Sequence, residues 1–447
     1  MTADTKRAPL RVAVLPPAPA AYREPLFQAL AAHDDIELRV IYQSSAPASW
    51  EGAPGFFPTE HRYQAVHLRA RQRARPGRSP IVVPAGVEAA LRAADPDVVI
   101  AVEYGAASLR ALAWCRLHRR AFVIFSDCTP EIDPLLSPGQ LTLHRLLARH
   151  ADHMIAVSSA GRARLEAFGV APERIAVAPQ QGDLEPIRAT AAAARAGGHG
   201  GRAVDSTLVV ASAGRLVPDK NFVALIEAAA RADPPGDRLR LRIAGAGFEG
   251  ERLRALAAER GVAVEFLGAV APAEMGSLYA QADAFALVST FEPFGVVVRE
   301  AVAAGLPIIC SRRAGAAGDI AVEGRNALLV DPEDVAQIAA ALDRLADDPE
   351  LRAALAAGSR EIDAAGEGAD VAAFAAAAHA AAARRGRYRP TEKSASRSWR
   401  EYASKATIVC VRLTPCSCDR RPVTTWASWS CSRRRRIATK SHSPVTE

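Results

Sequence analysis

Short apolar runs alternate with segments of helical apolar spacing along most of the chain. RVAVLP (11–16) reads as a buried strand, REPLFQALAAH (23–33) has apolar residues at helical intervals, and IELRVIY (36–42) reads as a second strand. VEAALRAADPDVVIAVE continues with helix, turn and strand, SLRALAWCRLHRRAFVIFSD with helix and strand, and ADHMIAVSSAGRARLEAFGVAPERIAVAPQ with strand, helix and strand. These strands are apolar along their whole length. That is the pattern of a parallel sheet covered by helices on both faces.

The alternation stops at ATAAAARAGGHGGRAVD (189–205), where Ala and Gly dominate, and this stretch reads as an interdomain linker. It restarts at TLVVASAGRL and runs through LRLRIAGAG, VEFLGAV, AFALVST and LPIICS. A helical segment then leads into an Ala-rich stretch ending near Ala383. The fold expected is α/β, two tandem doubly wound Rossmann-like domains facing across a cleft. The first covers residues 1–188 and the second, with its terminal helices, 206–383. Ligands of such sheets sit at the carboxyl ends of the strands.

Charge changes the picture only at the end of the chain. The net charge is +7, yet Arg384–Glu447 alone holds 16 Lys/Arg against 4 Asp/Glu. Met1–Ala383 keeps 40 basic and 45 acidic residues, so the body is mildly acidic and the overall basicity does not argue for nucleic acid. Residues 384–447 also hold three of the five Trp, four of the seven Cys and the run RRRR, with no helical or strand period. This segment is expected to be a disordered basic tail with the composition of a shifted reading frame. An anchor for nucleic acid or anionic lipid is the functional alternative. No cysteine spacing matches a zinc ribbon or finger, so no metal site is expected. No run approaches the ~18 to 20 apolar residues of a membrane span, and the first residues lack a signal-peptide core. The expected location is cytoplasmic, with peripheral contact at a membrane's cytoplasmic face as an alternative. The basic run LRARQRARPGR (68–78) reads as a solvated loop in preference to a docking surface. Asp95-Pro96-Asp97 looks like a metal-binding DxD but reads as a turn before a strand.

Candidate chemistry gathers in the second half. In STFEPFGVVVREAVAAGLPII (289–309), Glu292 lies in the turn after a strand and Glu300 about two turns into the next helix, which ends at Gly305 before Pro307. The helix opens near Gly295 and Val296 with N–H groups that lack intrahelical partners and can receive phosphate. Taken alone, Glu300 reads as a solvent-facing residue. Arg215 and Lys220 lie in the strand-to-helix loop SAGRLVPDKNF, where a guanidinium fork and an ammonium suit a diphosphate. Gly245 and Gly247 of IAGAG mark a tight turn, without the context of a dinucleotide fingerprint.

In order and spacing, GRLVPDKN, IAGAG, VEFLGAV, LVSTFEPFGVVVREAVAAGLPII and NALLVDPED resemble the nucleotide-sugar domain of GT-B-fold retaining glycosyltransferases of family 4, the glycosyl transferases of group 1. The resemblance covers about residues 206–345. It implies that Gly214, Arg215 and Lys220 hold the donor diphosphate, that Glu300 binds the ribose, and that Glu292 contacts the transferred sugar. It also implies that Phe294, Gly295 and Val296 approach sugar and phosphates by their backbone, and that the backbone around Leu267 lines the base pocket. YREPLFQAL, PDVVIAVEYG and FVIFSDCTPE look like an acceptor domain and offer Tyr22, Arg23, Glu103, Ser126 and Asp127. Here the chain departs from the family: it has LPPAPAAYR where relatives carry a Gly-Gly loop, and Ser126 and Asp127 where many carry a His.

The function expected is retaining, metal-independent transfer of a sugar from a nucleoside-diphosphate sugar to a hydroxyl acceptor, in glycan or glycolipid biosynthesis. The acceptor is a sugar, a lipid-linked molecule or a small molecule. Arg215, Lys220, Glu292 and Asp127 are the catalytic candidates. No cofactor beyond the nucleotide-sugar co-substrate is implied, and no nucleic acid. A sugar-nucleotide epimerase, or a non-catalytic nucleotide-sugar-binding partner of another transferase, are the alternatives.

Overall fold

The structure is a computed structural model and describes residues 8–45, 55–75, 78–197, 207–234 and 236–386. The tail beyond residue 386, residues 198–205 of the linker and residue 206 lie outside the described residues.

The N-terminal half contains β1 (Leu10–Leu15), β2 (Ile36–Tyr42), β3 (Ala65–His67), β4 (Ala70–Arg75), β5 (Arg78–Pro84), β6 (Val98–Val102), β7 (Ala121–Ser126), β8 (His153–Ala156) and β9 (Ile175–Val177). Seven of these strands form a parallel sheet in the order β3-β2-β1-β6-β7-β8-β9. β6, β7 and β8 are buried along their whole length, as their unbroken apolar runs require. The C-terminal half adds β10 (Leu208–Ala213), β11 (Leu239–Ala244), β12 (Ala263–Gly268), β13 (Ala284–Leu287), β14 (Ile308–Ser311) and β15 (Ala327–Val330). They make a second parallel sheet, in the order β12-β11-β10-β13-β14-β15. In each sheet the strand order reverses once, between β1 and β6 and between β10 and β13. A crevice opens at such a reversal because the flanking connections leave to opposite faces.

Three segments differ from the sequence reading. The basic run 68–78 is not a loop but contributes to the antiparallel hairpin β4–β5, whose arginines alternate with smaller or uncharged residues at strand period. The first part of the presumed linker is helical: Glu185–Ala196 is a helix, with Pro186 in its first turn and Ala-rich residues of high helix propensity. It packs against the helix Met275–Ala280 of the second half. The last helix, Ala369–Arg384, leaves the second half and packs on β6–β9 of the first, seating Phe374 edge-on against Phe125 at 4.8 Å. Its small alanines let it lie close on the sheet. The chain thus crosses between the halves twice, after β9 and again at Glu367–Gly368, where Gly368 takes φ +69°.

Asp95 and Asp97 bind arginines. Arg11 reaches Asp95 at 2.5 Å and Asp97 at 3.0 Å, and Arg120 pairs with both. No helix of the described residues is long and apolar enough to cross a membrane.

Candidate functional site

The carboxyl end of β10 continues through Gly214 and Arg215 into a 3-10 turn, Pro218–Lys220. Asn221 follows at φ +57° and opens the helix Phe222–Ala232. Its side-chain amide donates to the carbonyls of Val288 (3.1 Å) and Pro332 (2.7 Å). An amide is one of the few side chains that tolerates a left-handed backbone and can use it. The loop that carries Lys220 is thereby tied to the strand end that carries Glu292. The Thr290 N–H donates to the Asp219 carbonyl at 3.0 Å and adds a second tie.

Across this crevice the Lys220 ammonium donates to the Glu292 carboxylate. Glu292 is buried and its backbone is held by the Gly315 N–H (3.0 Å). A side chain at Gly315 would collide with the Pro293 carbonyl, so glycine is required for the loop after β14 to brace the FEPFG turn. Gly295 (φ +98°) then opens the helix Val296–Ala303, whose N-cap receives no side-chain hydrogen bond. Glu300 lies little more than one turn into this helix, not two, because the helix begins only at Val296. Nor does it simply face solvent: it is half-buried, and the Tyr279 hydroxyl donates to its Oε2 at 2.6 Å. Burial pushes the Glu300 carboxyl up to about 7, against the lowering effect of the Tyr279 hydroxyl.

Next to β10, the Gly245 N–H donates to the Gly268 carbonyl at 2.7 Å. A side chain on Gly245 would be driven into the Gly214 carbonyl, and one on Gly247 into that of Leu216. The two glycines let the loops after β10, β11 and β12 stack directly on one another. Arg215 is exposed at this edge.

The first half supplies the facing set. Tyr22 and Arg23 form a 3-10 turn after β1, Glu103 directly follows β6, and Ser126 and Asp127 end β7. All lie at the carboxyl ends of neighbouring strands. Glu103 sits at φ +64°, a left-handed conformation that costs a non-glycine residue ~1 to 2 kcal/mol and marks a position held by its surroundings. Its carboxylate accepts from the Asp127 N–H (2.9 Å), the Ser126 hydroxyl (3.1 Å) and the Cys128 thiol (3.4 Å). Burial and the adjacent Asp127 carboxylate push Glu103 up to about 8. Arg23 is buried over the rings of Tyr22 (5.3 Å) and Phe125 (5.6 Å), and its charge is favoured by Asp127 and Glu103. Its Nε has no hydrogen-bond partner.

Glu103, Asp127 and Cys128 are the one group among the described residues with three metal-type ligands close together, within 4.8 Å. Both Glu103 oxygens already accept hydrogen bonds, and burial holds the Cys128 thiol well above its usual range. A thiol kept protonated is a poor ligand, so the group fits a hydrogen-bonded cluster better than a metal centre.

The two sets meet. Gly182, on the first crossing, lies between them: a Cβ there would be 3.7 Å from Val296 Cγ1 and 3.9 Å from Tyr22 Cβ. Elsewhere Asp319, in the loop after β14, clasps the first half by accepting from the Ser159 N–H and hydroxyl, both at 2.6 Å. Every candidate named from the sequence therefore lies at a strand's carboxyl end or in the turn or helix that follows it, with Leu267 in the last turn of β12. Asn221, Tyr279, Gly315 and Asp319 were missed. Only Asn221 carried a local signal, an Asn directly before an apolar helical run.

Residues 201–362 match the family model described as glycosyl transferases group 1, and residues 18–180 that described as glycosyl transferase 4-like domain. A D-inositol 3-phosphate glycosyltransferase of Acidothermus cellulolyticus is 35% identical over 209 residues, covering 44% of this chain and 46% of that protein. A glycogen synthase of Mycobacterium tuberculosis is 36% identical over 138 residues, covering 30% and 33%. The chain thus spans less than half the length of these curated relatives. Among solved structures, Anabaena HepE in complex with UDP and glucose has a TM-score of 0.62 at 21% identity, over 79% of this chain and 95% of that one. The lipopolysaccharide outer core galactosyltransferase WaaB has a TM-score of 0.58 at 17% identity, over 82% and 99%. At such identities the likeness carries the two-domain GT-B fold alone.

Proposed function

The chain belongs to the glycosyl transferases of group 1, and from that membership and the geometry of its cleft we propose that it transfers a sugar from a nucleoside-diphosphate sugar to a hydroxyl acceptor. The observation that carries this reading is the meeting of Lys220 and Glu292 over the crevice between β10 and β13, beside the helix start at Gly295. A cation, a helix N-terminus and a carboxylate at one strand edge match a diphosphate joined to a sugar.

The donor lies along this edge with its base over Leu267–Gly268, its ribose at Glu300 and its diphosphate at Arg215, Lys220 and the Gly295–Val296 backbone. Before binding, Lys220 and Glu292 neutralise one another. The diphosphate draws Lys220 to itself and frees Glu292 for the sugar hydroxyls. As the glycosyl–phosphate bond breaks, negative charge grows on the leaving diphosphate and is stabilised by Lys220, Arg215 and the helix start. Positive charge grows on the sugar, where the Glu292 carboxylate faces it. The acceptor hydroxyl, placed by Tyr22, Arg23 and the Glu103–Asp127 pair, attacks from the side the phosphate leaves. It passes its proton to the departing phosphate. This course retains the anomeric configuration and draws its cationic charge from the protein, without a metal.

Relatives named as a D-inositol 3-phosphate glycosyltransferase and a glycogen synthase support this class of chemistry. A panel of UDP-, GDP- and ADP-sugars with sugar and polyol acceptors tests it. Acceptor-dependent release of nucleoside diphosphate, with product of unchanged anomeric configuration by proton NMR, is the expected result. Epimerised sugar nucleotide without acceptor consumption would show the epimerase reading. Donor binding without turnover would show the binding-partner reading.

A further inference from the structure

Arg299 is the residue just before Glu300, and its side chain is fully buried. Its Nε donates to the Gln181 Oε1 at 2.7 Å, on the first crossing between the halves. Its Nη1 lies 2.7 Å from Asp363 Oδ1, in the last turns of the helix Pro349–Gly366 that leads to the second crossing. Asp363 is shared with Arg188, at 2.8 and 3.0 Å, on the helix Glu185–Ala196. Gly366 lies against the guanidinium, where a Cβ would be in ordinary contact with Nη2 at 3.5 Å.

One planar cation therefore ties the donor helix to both places where the chain passes between domains. Burial works against its charge and lowers the Arg299 pKa, while Asp363 opposes that effect. Such a buried pair is a poor source of stability, because apolar residues of similar volume commonly do as well. What a guanidinium fork adds is fixed geometry toward two partners. One turn earlier on the same face of this helix, Val296 meets Gly182, the residue after Gln181, beside Tyr22. The crossing segment is thus gripped by Arg299 at one residue and abuts the catalytic cleft at the next.

We propose that Arg299 is a positioning residue, which sets the donor helix in register with the facing Tyr22–Arg23–Glu103–Asp127 set by holding it to both interdomain crossings. The inference rests on the donor site proposed above. It places no Arg299 atom on the substrate. Removing the tie leaves the donor half intact but lets the two halves drift, and a misplacement of about 1 Å in a reacting pair costs roughly a hundredfold in rate.

The test uses the full chain with Arg299→Met and, because the first variant leaves Asp363 with one partner fewer, Gln181→Leu as a second. The measurements are steady-state transfer, titration with the nucleoside diphosphate of the working donor, and amide hydrogen exchange without ligand. The expected result for Arg299→Met is a turnover loss of about ten- to a hundredfold, with nucleotide affinity within about threefold of wild type. Gln181→Leu loses turnover several-fold with the same sparing of nucleotide. Exchange rises at residues 180–184 and 294–298 in both. Unchanged turnover and exchange in Gln181→Leu, or nucleotide affinity falling in step with turnover, overturns the proposal. If wild type neither transfers sugar nor binds nucleotide, the donor-site reading fails, and the exchange data still decide whether Arg299 holds the two crossings.

Discussion

Replacing Glu300 by Gln separates what this carboxylate costs the fold from what it gives the ligand. Burial raises its pKa from the ordinary 4.5 to about 7, with the Tyr279 hydroxyl at 2.6 Å opposing. Between those two values the folded protein holds a proton that the unfolded chain has released. Stability is therefore fully present below the unfolded value and falls as pH rises toward the folded one. At about 1.4 kcal/mol per pH unit between the two values, the loss reaches at most ~3.5 kcal/mol above neutrality. Gln keeps the size and still accepts from Tyr279, yet has nothing to ionise. Urea denaturation should find Glu300→Gln close to wild type near pH 5 and more stable than wild type by roughly 1 to 3 kcal/mol near pH 8.5. Binding should go the other way. Ribose hydroxyls donate to the ionised carboxylate, so wild type should release a proton on taking up nucleoside diphosphate near pH 6 to 7, and the variant should release none and bind more weakly. Titration calorimetry in buffers of different ionisation enthalpy reads both effects. A stability difference that does not change with pH, or a variant that binds nucleotide as tightly as wild type, would refute the assignment of Glu300 to the ribose.

Lys220→Ala and Arg215→Ala should each weaken binding of donor and of bare nucleoside diphosphate, by about ten- to a hundredfold for loss of a charge-assisted contact; calorimetry checks it. Gly245→Ala, which drives a methyl into the Gly214 carbonyl, should abolish nucleotide binding and lower the melting temperature by several degrees. Asn221→Ala should cost ~2 to 3 kcal/mol, through two lost hydrogen bonds and a left-handed backbone, in urea melts. Removing residues 390–447 should leave both the melting temperature and nucleotide affinity unchanged, since the break in charge and composition falls just before them.

Much of this was legible in the residues themselves. Strands such as VVIAV and AFVIFS are apolar throughout because both sheet faces are covered, so the parallel α/β class followed from local pattern. The Lys220–Glu292 crevice was readable because its parts follow one another in sequence: each residue sits in the turn after a strand, and the strand order makes those turns neighbours. The rest depends on contacts between distant segments. Nothing local to Tyr279 announces that its hydroxyl reaches Glu300, and Asp319 gives no sign of clasping Ser159. The helix Glu185–Ala196 was hidden by its alanines, which read as linker beside the glycines that follow although alanine is the strongest helix former. The hairpin β4–β5 was hidden by its arginines, which obscured a period-two pattern. Ser126 and Asp127 were named as acceptor-side candidates and as a departure from the family, without Glu103 as their partner. Their role as partners of a strained Glu103 emerges when β6 and β7 lie side by side.

The central claim is that Glu292 faces the sugar being transferred while Lys220 and the helix start hold its leaving group. The measurement that meets it most directly compares turnover with nucleotide affinity in Glu292→Gln. Gln preserves size and hydrogen bonding but removes the charge that opposes the developing glycosyl cation. The account predicts turnover lower by about a hundredfold or more, with affinity for the bare nucleoside diphosphate unchanged or somewhat tighter, because Lys220 no longer has a charged competitor. Turnover preserved while nucleotide affinity falls would contradict it and would place Glu292 at the nucleotide end of the donor.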